Sequence, residues 1–259
     1  MPSLNLKNWF ACALIAASTT IHAAPATITV DASKPDHAVP STLWGIFFED
    51  INLSADGGLY PELVRNRSFE DGEKIEHWKL AGAGEAKSEI AIDSSKPLNP
   101  FNRHSLRVKL NGPATLSNEG YWGMNFIAGE HYTFKVAARA ADGFKGGLTV
   151  LLEDKSGRDL ARGEISGLTD QWKWFTLELT PSGTDAQGHL ALFTTNSGTV
   201  FLDMVSLLPQ KTWKNHGLRT DLAESIDALK PAFLRFPGGC WVEGNDLAHM
   251  NNWKNTIGD

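Results

Sequence analysis

The stretch that decides the fold of this chain reads Leu43-Trp44-Gly45-Ile46-Phe47-Phe48-Glu49-Asp50. Its apolar part, residues 43–48, has the length of a strand buried on both faces, and it stops at two carboxylates. A second apolar run, residues 232–236, ends in Pro237-Gly238-Gly239-Cys240-Trp241. Polar groups at the carboxyl ends of strands are typical of a parallel sheet. The sequence therefore predicts that these two strands share one site.

A helix is predicted directly before the second strand. Residues 217–230 carry apolar side chains at positions 222, 226 and 229, which is helical spacing, and Pro231 ends the pattern. Thr220 or Asp221 is the expected N-cap. Two other local patterns predict a half-exposed strand at residues 26–31 and a short helix at residues 61–66, with Pro61 in its first turn.

Between these parts, residues 73–209 follow a different pattern. Short alternating segments recur at regular spacing, separated by Gly, Pro, Asn and Asp, which is typical of a β-sandwich. The clearest predicted strands are residues 105–110, 131–138, 148–153, 172–179, 190–195 and 200–207.

Composition narrows the classes of partner. The chain has 259 residues, a net charge of −6, and 42% hydrophobic and 10% aromatic residues, as expected of a folded protein. Because no Lys/Arg cluster offsets the acidic balance, we expect neither a nucleic-acid nor an anionic-membrane partner. A neutral substrate fits this composition better than a polyanion.

The first residues are predicted to be a targeting segment. Lys7 precedes an apolar core at residues 9–17, and Ile21-His22-Ala23 is a plausible cleavage site, so residues 1–23 are interpreted as a signal peptide. The core is too short to span a bilayer, and a secreted or periplasmic protein is expected. Since Cys12 lies in this segment, Cys240 is the only cysteine of the mature chain and no intramolecular disulfide is expected.

Three motifs together resemble a known family. They are Gly45-Ile46-Phe47-Phe48-Glu49-Asp50-Ile51, then Gly57-Gly58-Leu59-Tyr60-Pro61-Glu62-Leu63-Val64-Arg65-Asn66-Arg67-Ser68-Phe69-Glu70, then Leu234-Arg235-Phe236-Pro237-Gly238-Gly239-Cys240. In this order they resemble the exported α-L-arabinofuranosidases of glycoside hydrolase family 51. The resemblance implies an α/β plus all-β fold, the start of a (β/α)₈ TIM barrel interrupted by an inserted jelly-roll sandwich similar to a carbohydrate-binding module.

The domain organisation expected on this basis has four parts. They are the signal peptide (1–23), the first part of the barrel (24–72), the sandwich (73–210) and the continuation of the barrel (211–259). A whole barrel takes roughly 250 residues, so the chain is expected to be an amino-terminal fragment. The family's acid/base and nucleophile glutamates are then expected beyond Asp259, and the chain alone is expected to be inactive.

The resemblance also implies an activity. Such enzymes remove terminal α-L-arabinofuranosyl groups from arabinoxylan or arabinan by a retaining double displacement, without a cofactor. The partner is then an arabinose-containing plant polysaccharide or oligosaccharide. The alternative from another class is a non-catalytic carbohydrate-binding protein that acts through the sandwich and exposed residues such as Trp122. A glycosidase of a sister family with another sugar preference is a third reading.

Glu49 is the strongest candidate site residue. By resemblance it would accept hydrogen bonds from hydroxyls of the arabinofuranosyl unit. The plain alternative is a strand-end carboxylate that caps a loop or pairs with Arg65, Arg67 or Arg235. For Arg235 itself a structural ion pair is expected, because an unpaired charge inside a barrel is costly.

Other candidates follow the second strand. By resemblance Cys240 would approach the sugar, although a lone cysteine is more often a small buried apolar group. Gly238 and Gly239 would permit a turn that aims backbone amides at the pocket. Asn245 is similar to a polar residue of the family loop, although a solvated loop explains it equally well. The remaining candidates are Glu243 as a carboxylate partner of Glu49, Asp246 beside Asn245, Trp44, Trp241 and Trp253 for sugar stacking, and Asp203 as a ligand of a structural Ca²⁺ in the sandwich.

Overall fold

The computed structural model describes residues 26–34, 36–72, 74–82, 87–252 and 254. The chain divides into two compact units, residues 1–41 and residues 42–259. The predicted signal peptide and Trp253 lie outside the described residues.

The strand predicted at residues 26–31 is wrong. Residues 26–30 have no regular secondary structure, and a turn begins at Asp31, whose carboxylate accepts hydrogen bonds from the N–H and hydroxyl of Ser33. A strand needs a neighbour to pair with its N–H and C=O groups. No described residue of the first unit forms a strand that could provide one.

The second unit contains every described strand and helix. The strands are β1 (Ile46–Phe47), β2 (Trp78–Gly82), β3 (Glu89–Asp93), β4 (Ser105–Asn111), β5 (Ala114–Asn118), β6 (Met124–Phe126), β7 (Tyr132–Ala141), β8 (Leu148–Glu153), β9 (Asp159–Ile165), β10 (Lys173–Leu179), β11 (Asp185–Thr194), β12 (Ser197–Pro209) and β13 (Leu234–Arg235). The helices are a 3₁₀ turn at Trp213–Asn215, α1 (Thr220–Ala228) and α2 (Cys240–Glu243).

Most of the second unit is a sandwich of two antiparallel sheets. One sheet has the strand order β10-β7-β12-β4-β3, and the other has the order β2-β5-β11-β8-β9, with β6 pairing β11. Inward side chains such as Phe134, Val150 and Leu190 are fully buried in one core shared by both sheets. All six of the strands predicted most clearly from the sequence are confirmed.

The strand pair predicted to share a site is present as a small separate sheet. β1 and β13 run parallel, with Ile46 opposite Leu234 and Phe47 opposite Arg235. The prediction that residues 43–48 are buried on both faces is wrong, because Leu43, Trp44 and Phe47 are exposed. A sheet of two strands has no second layer on either side and leaves both of its faces partly open.

The helix predicted before β13 is confirmed, but its N-cap is wrong. α1 begins at Thr220, and its N-cap is Arg219, which has no capping side-chain hydrogen bond. The Arg219 guanidinium instead donates two hydrogen bonds of 2.8 Å to the carboxylate of Asp221. These hydrogen bonds hold the pKa of Asp221 below its usual value.

The short helix predicted at residues 61–66 is also wrong, because this segment has no helical turn and lies beside β12. The Leu63 N–H donates to the Leu207 carbonyl at 3.1 Å, and the Val205 N–H donates to the Arg67 carbonyl at 2.9 Å. The buried carboxylate of Glu62 accepts hydrogen bonds from the N–H groups of Val64 and Leu207. The Leu63 N–H and the Glu62 carboxylate therefore fix this segment against β12.

Candidate functional site

The candidate site lies where β1 and β13 end. The Phe48 N–H donates to the Arg235 carbonyl at 2.9 Å, so both strands finish at the same level. Glu49 follows β1 and Gly238 follows β13. A Cβ added to Gly238 would come within 2.7 Å of Glu49 Cγ, and Gly238 has φ +147°, which other residues rarely adopt. Glycine at position 238 therefore makes room for the half-buried Glu49 side chain.

The arginines named as partners of Glu49 all interact elsewhere. Arg67 lies 3.8 Å from the Glu62 carboxylate, and Arg65 lies over the ring of Tyr121 at 5.8 Å. Arg235 lies over the ring of Phe47 at 4.9 Å. Among the described residues the Glu49 carboxylate forms no ion pair, so the pairing alternative for Glu49 is wrong. The ion pair expected for Arg235 is likewise not found there, since this residue is exposed rather than enclosed.

The backbone after Glu49 is held in a tight turn. The Glu49 carbonyl accepts hydrogen bonds from the Ile51 N–H at 2.9 Å and from the Ser54 hydroxyl. These bonds fix the main chain at the strand end, and no described residue forms a hydrogen bond or ion pair with the carboxylate oxygens of Glu49.

Gly239 and Cys240 follow Gly238 at the end of the second strand. Gly239 is the N-cap of α2, and a Cβ there would make only ordinary contacts, 3.8 Å from Phe47 Cζ and 4.0 Å from Arg235 Nη2. The close approach therefore belongs to Gly238. Cys240 is a free thiol and is exposed, so the alternative of a small buried apolar group is wrong for Cys240.

In the loop after α2, the neighbouring residues Asn245 and Asp246 differ in their contacts. Asn245 is exposed, and its side chain has no hydrogen bond within the described part of the chain. Asp246 accepts hydrogen bonds from the N–H groups of Ala248 and His249 and contacts His249 Nδ1 at 2.7 Å. The His249 side chain, followed by these backbone bonds, lowers the pKa of Asp246. Asp246 therefore has a structural role in the turn. Glu243 is the last residue of α2 and is exposed.

Of the tryptophans predicted to stack on sugar, one can be placed by its contacts. Trp44 is half exposed, and its indole N–H donates to the Leu229 carbonyl at 3.1 Å, beyond the end of α1. This bond links the chain before β1 to α1. The side chain of Trp241 lies outside the described set.

A polar cavity that the sequence reasoning missed begins at Asp50, beside Glu49. Its volume is about 720 Å³, and Asp56, Arg65, Arg67 and Tyr121 also line it. Burial raises the pKa of Asp56 and of Tyr121. Only the dense Arg/Asp content of residues 50–71 signalled this cavity in the sequence.

Asp203, the candidate calcium ligand, lies on β12 and is fully buried. One carboxylate oxygen accepts a hydrogen bond from the Met204 N–H at 2.7 Å, while the other, Oδ2, has no partner. Burial raises the pKa of Asp203 to about 7. The described residues contain no cluster of three or more His, Cys, Asp or Glu side chains that could hold a metal. Calcium binding here stays a prediction, supported by one unpaired oxygen.

The structure also bears on membrane association. Within the described ranges, no helix combines the length and the apolar character that crossing a membrane requires.

Two segments of the second unit match known protein families. Residues 61–199 match the family model described as a carbohydrate binding domain, and residues 225–259 match the α-L-arabinofuranosidase 1 domain. The chain is 37% identical over 252 residues to α-L-arabinofuranosidase 1 of Arabidopsis thaliana, covering 90% of this chain. It is 38% identical over 265 residues to the extracellular exo-α-L-arabinofuranosidase of Streptomyces chartreusis, covering 93% of this chain.

A solved structure shows the same similarity. An arabinose-bound α-L-arabinofuranosidase of glycoside hydrolase family 51 matches 88% of this chain with a TM-score of 0.78 and 33% identity. The chain spans about a third of the relatives it matches: 36% of the Arabidopsis protein, 31% of the Streptomyces protein and 39% of the solved structure.

Proposed function

We propose that this chain, which belongs to the carbohydrate binding domain family through residues 61–199, works as part of an α-L-arabinofuranosidase of glycoside hydrolase family 51. The reaction is removal of terminal α-L-arabinofuranosyl groups from arabinoxylan or arabinan by double displacement through a glycosyl-enzyme intermediate. Identity above 30% along about nine tenths of the chain, together with the arabinose-bound structural neighbour, supports this proposal.

The state of Glu49 is the observation that carries the proposal. Its carboxylate stands at the end of β1 against Gly238, without an ion pair among the described residues. An ionised carboxylate accepts hydrogen bonds from two neighbouring sugar hydroxyls and gains more from each than a neutral acceptor does. Glu49 would therefore orient the arabinofuranosyl unit, with Gly239, Cys240 and Asn245 shaping the same subsite.

The parallel pair of β1 and β13 is proposed as the start of a (β/α)₈ barrel into which the sandwich is inserted. α1 directly precedes β13, as such a barrel requires, and exposed apolar side chains line this pair, which further barrel elements would cover. The acid/base and nucleophile would then come from strands that the matched third of the relatives does not include. Export by the predicted signal peptide is consistent with the name of the Streptomyces relative.

The test is release of arabinose from an aryl α-L-arabinofuranoside. We would compare the chain alone with the chain joined to the remaining length of the Streptomyces relative, and expect activity only in the joined protein. In the joined protein, Glu49→Gln should lower kcat/KM by about 10- to 100-fold, because a hydrogen bond to a charged group contributes about 1.5–3 kcal/mol. Glu243→Gln is the matched control and should change little.

Two results would contradict the proposal. Activity of the chain alone, lost in both Glu49→Gln and Glu243→Gln, would make these two residues the catalytic pair. Hydrolysis of another aryl glycoside in preference to the arabinofuranoside would move the protein to a sister family with a different sugar preference.

A further inference from the structure

The segment that follows Glu49 is closed on itself, and we call residues 50–60 the Glu49 loop. The Ser54 hydroxyl donates to the Glu49 carbonyl, and the Leu59 N–H donates to the Ser54 carbonyl at 2.8 Å. A Cβ added to Gly58 would come within 2.3 Å of the Ser54 carbonyl oxygen, so the two sides of the loop lie in direct contact there. The backbone of Glu49 is therefore connected through Ser54 to the far side of the loop.

The sandwich supports this loop with the ring of Tyr121. This residue lies in the turn between β5 and β6, and it is half-buried. A Cβ added to Gly57 would come within 2.4 Å of Tyr121 Cδ2, so the ring packs directly against the loop backbone. Gly57 also has φ +75°, which favours glycine. Both the close contact and the backbone angle therefore require glycine at position 57.

The turn that carries Tyr121 is itself fixed to the chain beyond the loop. The buried Asn118 side chain accepts hydrogen bonds from the N–H groups of Gly120 and Arg65, and its amide donates to the Arg65 carbonyl at 3.0 Å. Gly120 has φ +67°, and a Cβ there would come within 2.7 Å of the Leu63 carbonyl oxygen. The Arg65 guanidinium lies 5.8 Å from the centre of the Tyr121 ring. Because its supports are locked by packing and hydrogen bonds, the turn presents the ring to the loop in one position.

The far end of the loop is held separately, at α1. The Arg219 N–H, directly before α1, donates to the Leu59 carbonyl at 2.9 Å. Along the chain, the contact of Gly57 with Tyr121 lies between this bond and the hydrogen bonds at the Glu49 carbonyl. Removing the ring would leave a cavity beneath Gly57, into which the middle of the loop can relax. Because the loop is bonded to the Glu49 carbonyl, such a relaxation would shift the Glu49 side chain.

We propose that Tyr121 is a positioning residue for the Glu49 site. Its ring supports the Glu49 loop, and the loop in turn holds the Glu49 carboxylate in the orientation in which it binds the arabinofuranosyl unit. This role of Tyr121 rests on the function proposed above for Glu49. A displacement of about 1 Å at such a group can cost about 100-fold in rate. The sandwich is then part of the framework of the active site, and not an independent module attached to it.

The first test needs no enzymatic activity. Hydrogen exchange of the full chain, followed by mass spectrometry, should show that Tyr121→Ala speeds exchange about tenfold or more in peptides that cover the Glu49 loop, while peptides from β7 exchange as in the parent. Tyr121→Phe is the matched control and should keep the parent rates, because ring carbons make the contact with Gly57. Trp122→Ala is a second control, since this neighbouring aromatic side chain is 74% exposed.

The second test is a double-mutant cycle in the joined arabinofuranosidase. Tyr121→Ala should lower kcat/KM for the aryl α-L-arabinofuranoside about tenfold or more, and Tyr121→Phe should change it little. Added to Glu49→Gln, Tyr121→Ala should cause little further loss, because two changes that act through one carboxylate are not additive. A side chain with only a general structural role would cause the same fold-loss in both backgrounds.

Three outcomes would overturn the proposal. They are parent exchange rates over the Glu49 loop in Tyr121→Ala, a rise in exchange spread evenly over the sandwich, and fully additive losses in the double variant. An even rise would mean that the ring is needed for the sandwich itself and not for the loop. If exchange rises only in the loop while the joined protein releases no arabinose, the proposed function fails and the support of the loop by Tyr121 stands.

Discussion

Replacing Asp203 by asparagine should change how the stability of the sandwich depends on pH. Burial raises the pKa of Asp203 to about 7, against about 3.9 for an unfolded aspartate. Between these values the folded state binds more protons than the unfolded state, so the free energy of unfolding falls as pH rises through this window. Three pKa units correspond to about 4 kcal/mol, which is the upper limit of the effect.

The asparagine variant does not lose this unfolding free energy as pH rises, because asparagine does not titrate. Its side-chain oxygen can still accept the hydrogen bond from the Met204 N–H, while its new amide group replaces the oxygen that has no partner. If that amide also finds no acceptor, its burial costs about 1–3 kcal/mol at every pH. Relative to the parent, Asp203→Asn should therefore be neutral or less stable at pH 4 and gain about 2–4 kcal/mol between pH 4 and pH 8.

The assay is urea denaturation of the parent and of Asp203→Asn across this pH range, in the presence of a chelator. The difference between the two unfolding free energies at pH 8 and at pH 4 isolates the titration from any constant cost. Parallel pH profiles would refute the reasoning. A repeat with millimolar Ca²⁺ tests the predicted calcium ligand: added Ca²⁺ should stabilise the parent at pH 8 and leave Asp203→Asn unchanged.

Three further predictions concern single contacts. Glu62→Ala should lower the unfolding free energy by about 3–5 kcal/mol in urea denaturation, because it leaves the Val64 and Leu207 N–H groups and the Ser206 hydroxyl without their acceptor; a loss below about 1 kcal/mol would contradict this. Gly238→Ala should lower kcat/KM of the joined arabinofuranosidase about tenfold or more, since its Cβ would displace Glu49, whereas Gly239→Ala should not; equal effects would contradict the assignment. Trp44→Phe should lower the unfolding free energy by about 1 kcal/mol through loss of the hydrogen bond to Leu229, and an unchanged denaturation midpoint would show that this bond contributes nothing.

The sequence predicted the sandwich well because several of its strands alternate between buried and more exposed side chains. In β4, for example, Leu106, Val108 and Leu110 are buried and Arg107 and Lys109 are exposed, a period-2 pattern that can be recognised without any partner strand. The secondary-structure predictions were wrong where contacts between residues distant in sequence determine the conformation. Residues 61–66 carry a helix-start signal at Pro61, but the hydrogen bonds of Glu62 and Leu63 to β12, far along the chain, hold them against that strand instead.

The candidate site, too, was predicted only in the part that local sequence patterns determine. The sequence placed Glu49 and the glycine pair at two strand ends, because apolar runs ending in polar residues mark such ends. It could not tell which glycine faces Glu49, since φ +147° at Gly238 and the direction of its missing Cβ are properties of the folded backbone. It also could not show that Asp246 binds its own turn, because those hydrogen bonds depend on how the loop closes.

The bond between Leu63 and Leu207 has a consequence for how the chain folds. β1 and β13 are far apart in sequence, and bringing them together in an otherwise unfolded chain would cost loop-closure entropy over the whole intervening length. Once the sandwich forms, its entry and exit are held 3.1 Å apart at this bond, and the effective loop shortens about fourfold. At about 0.6 kcal/mol per doubling, this lowers the cost of pairing β1 with β13 by roughly 1.2 kcal/mol. The sandwich therefore acts as a folding template for the parallel strands on either side of it.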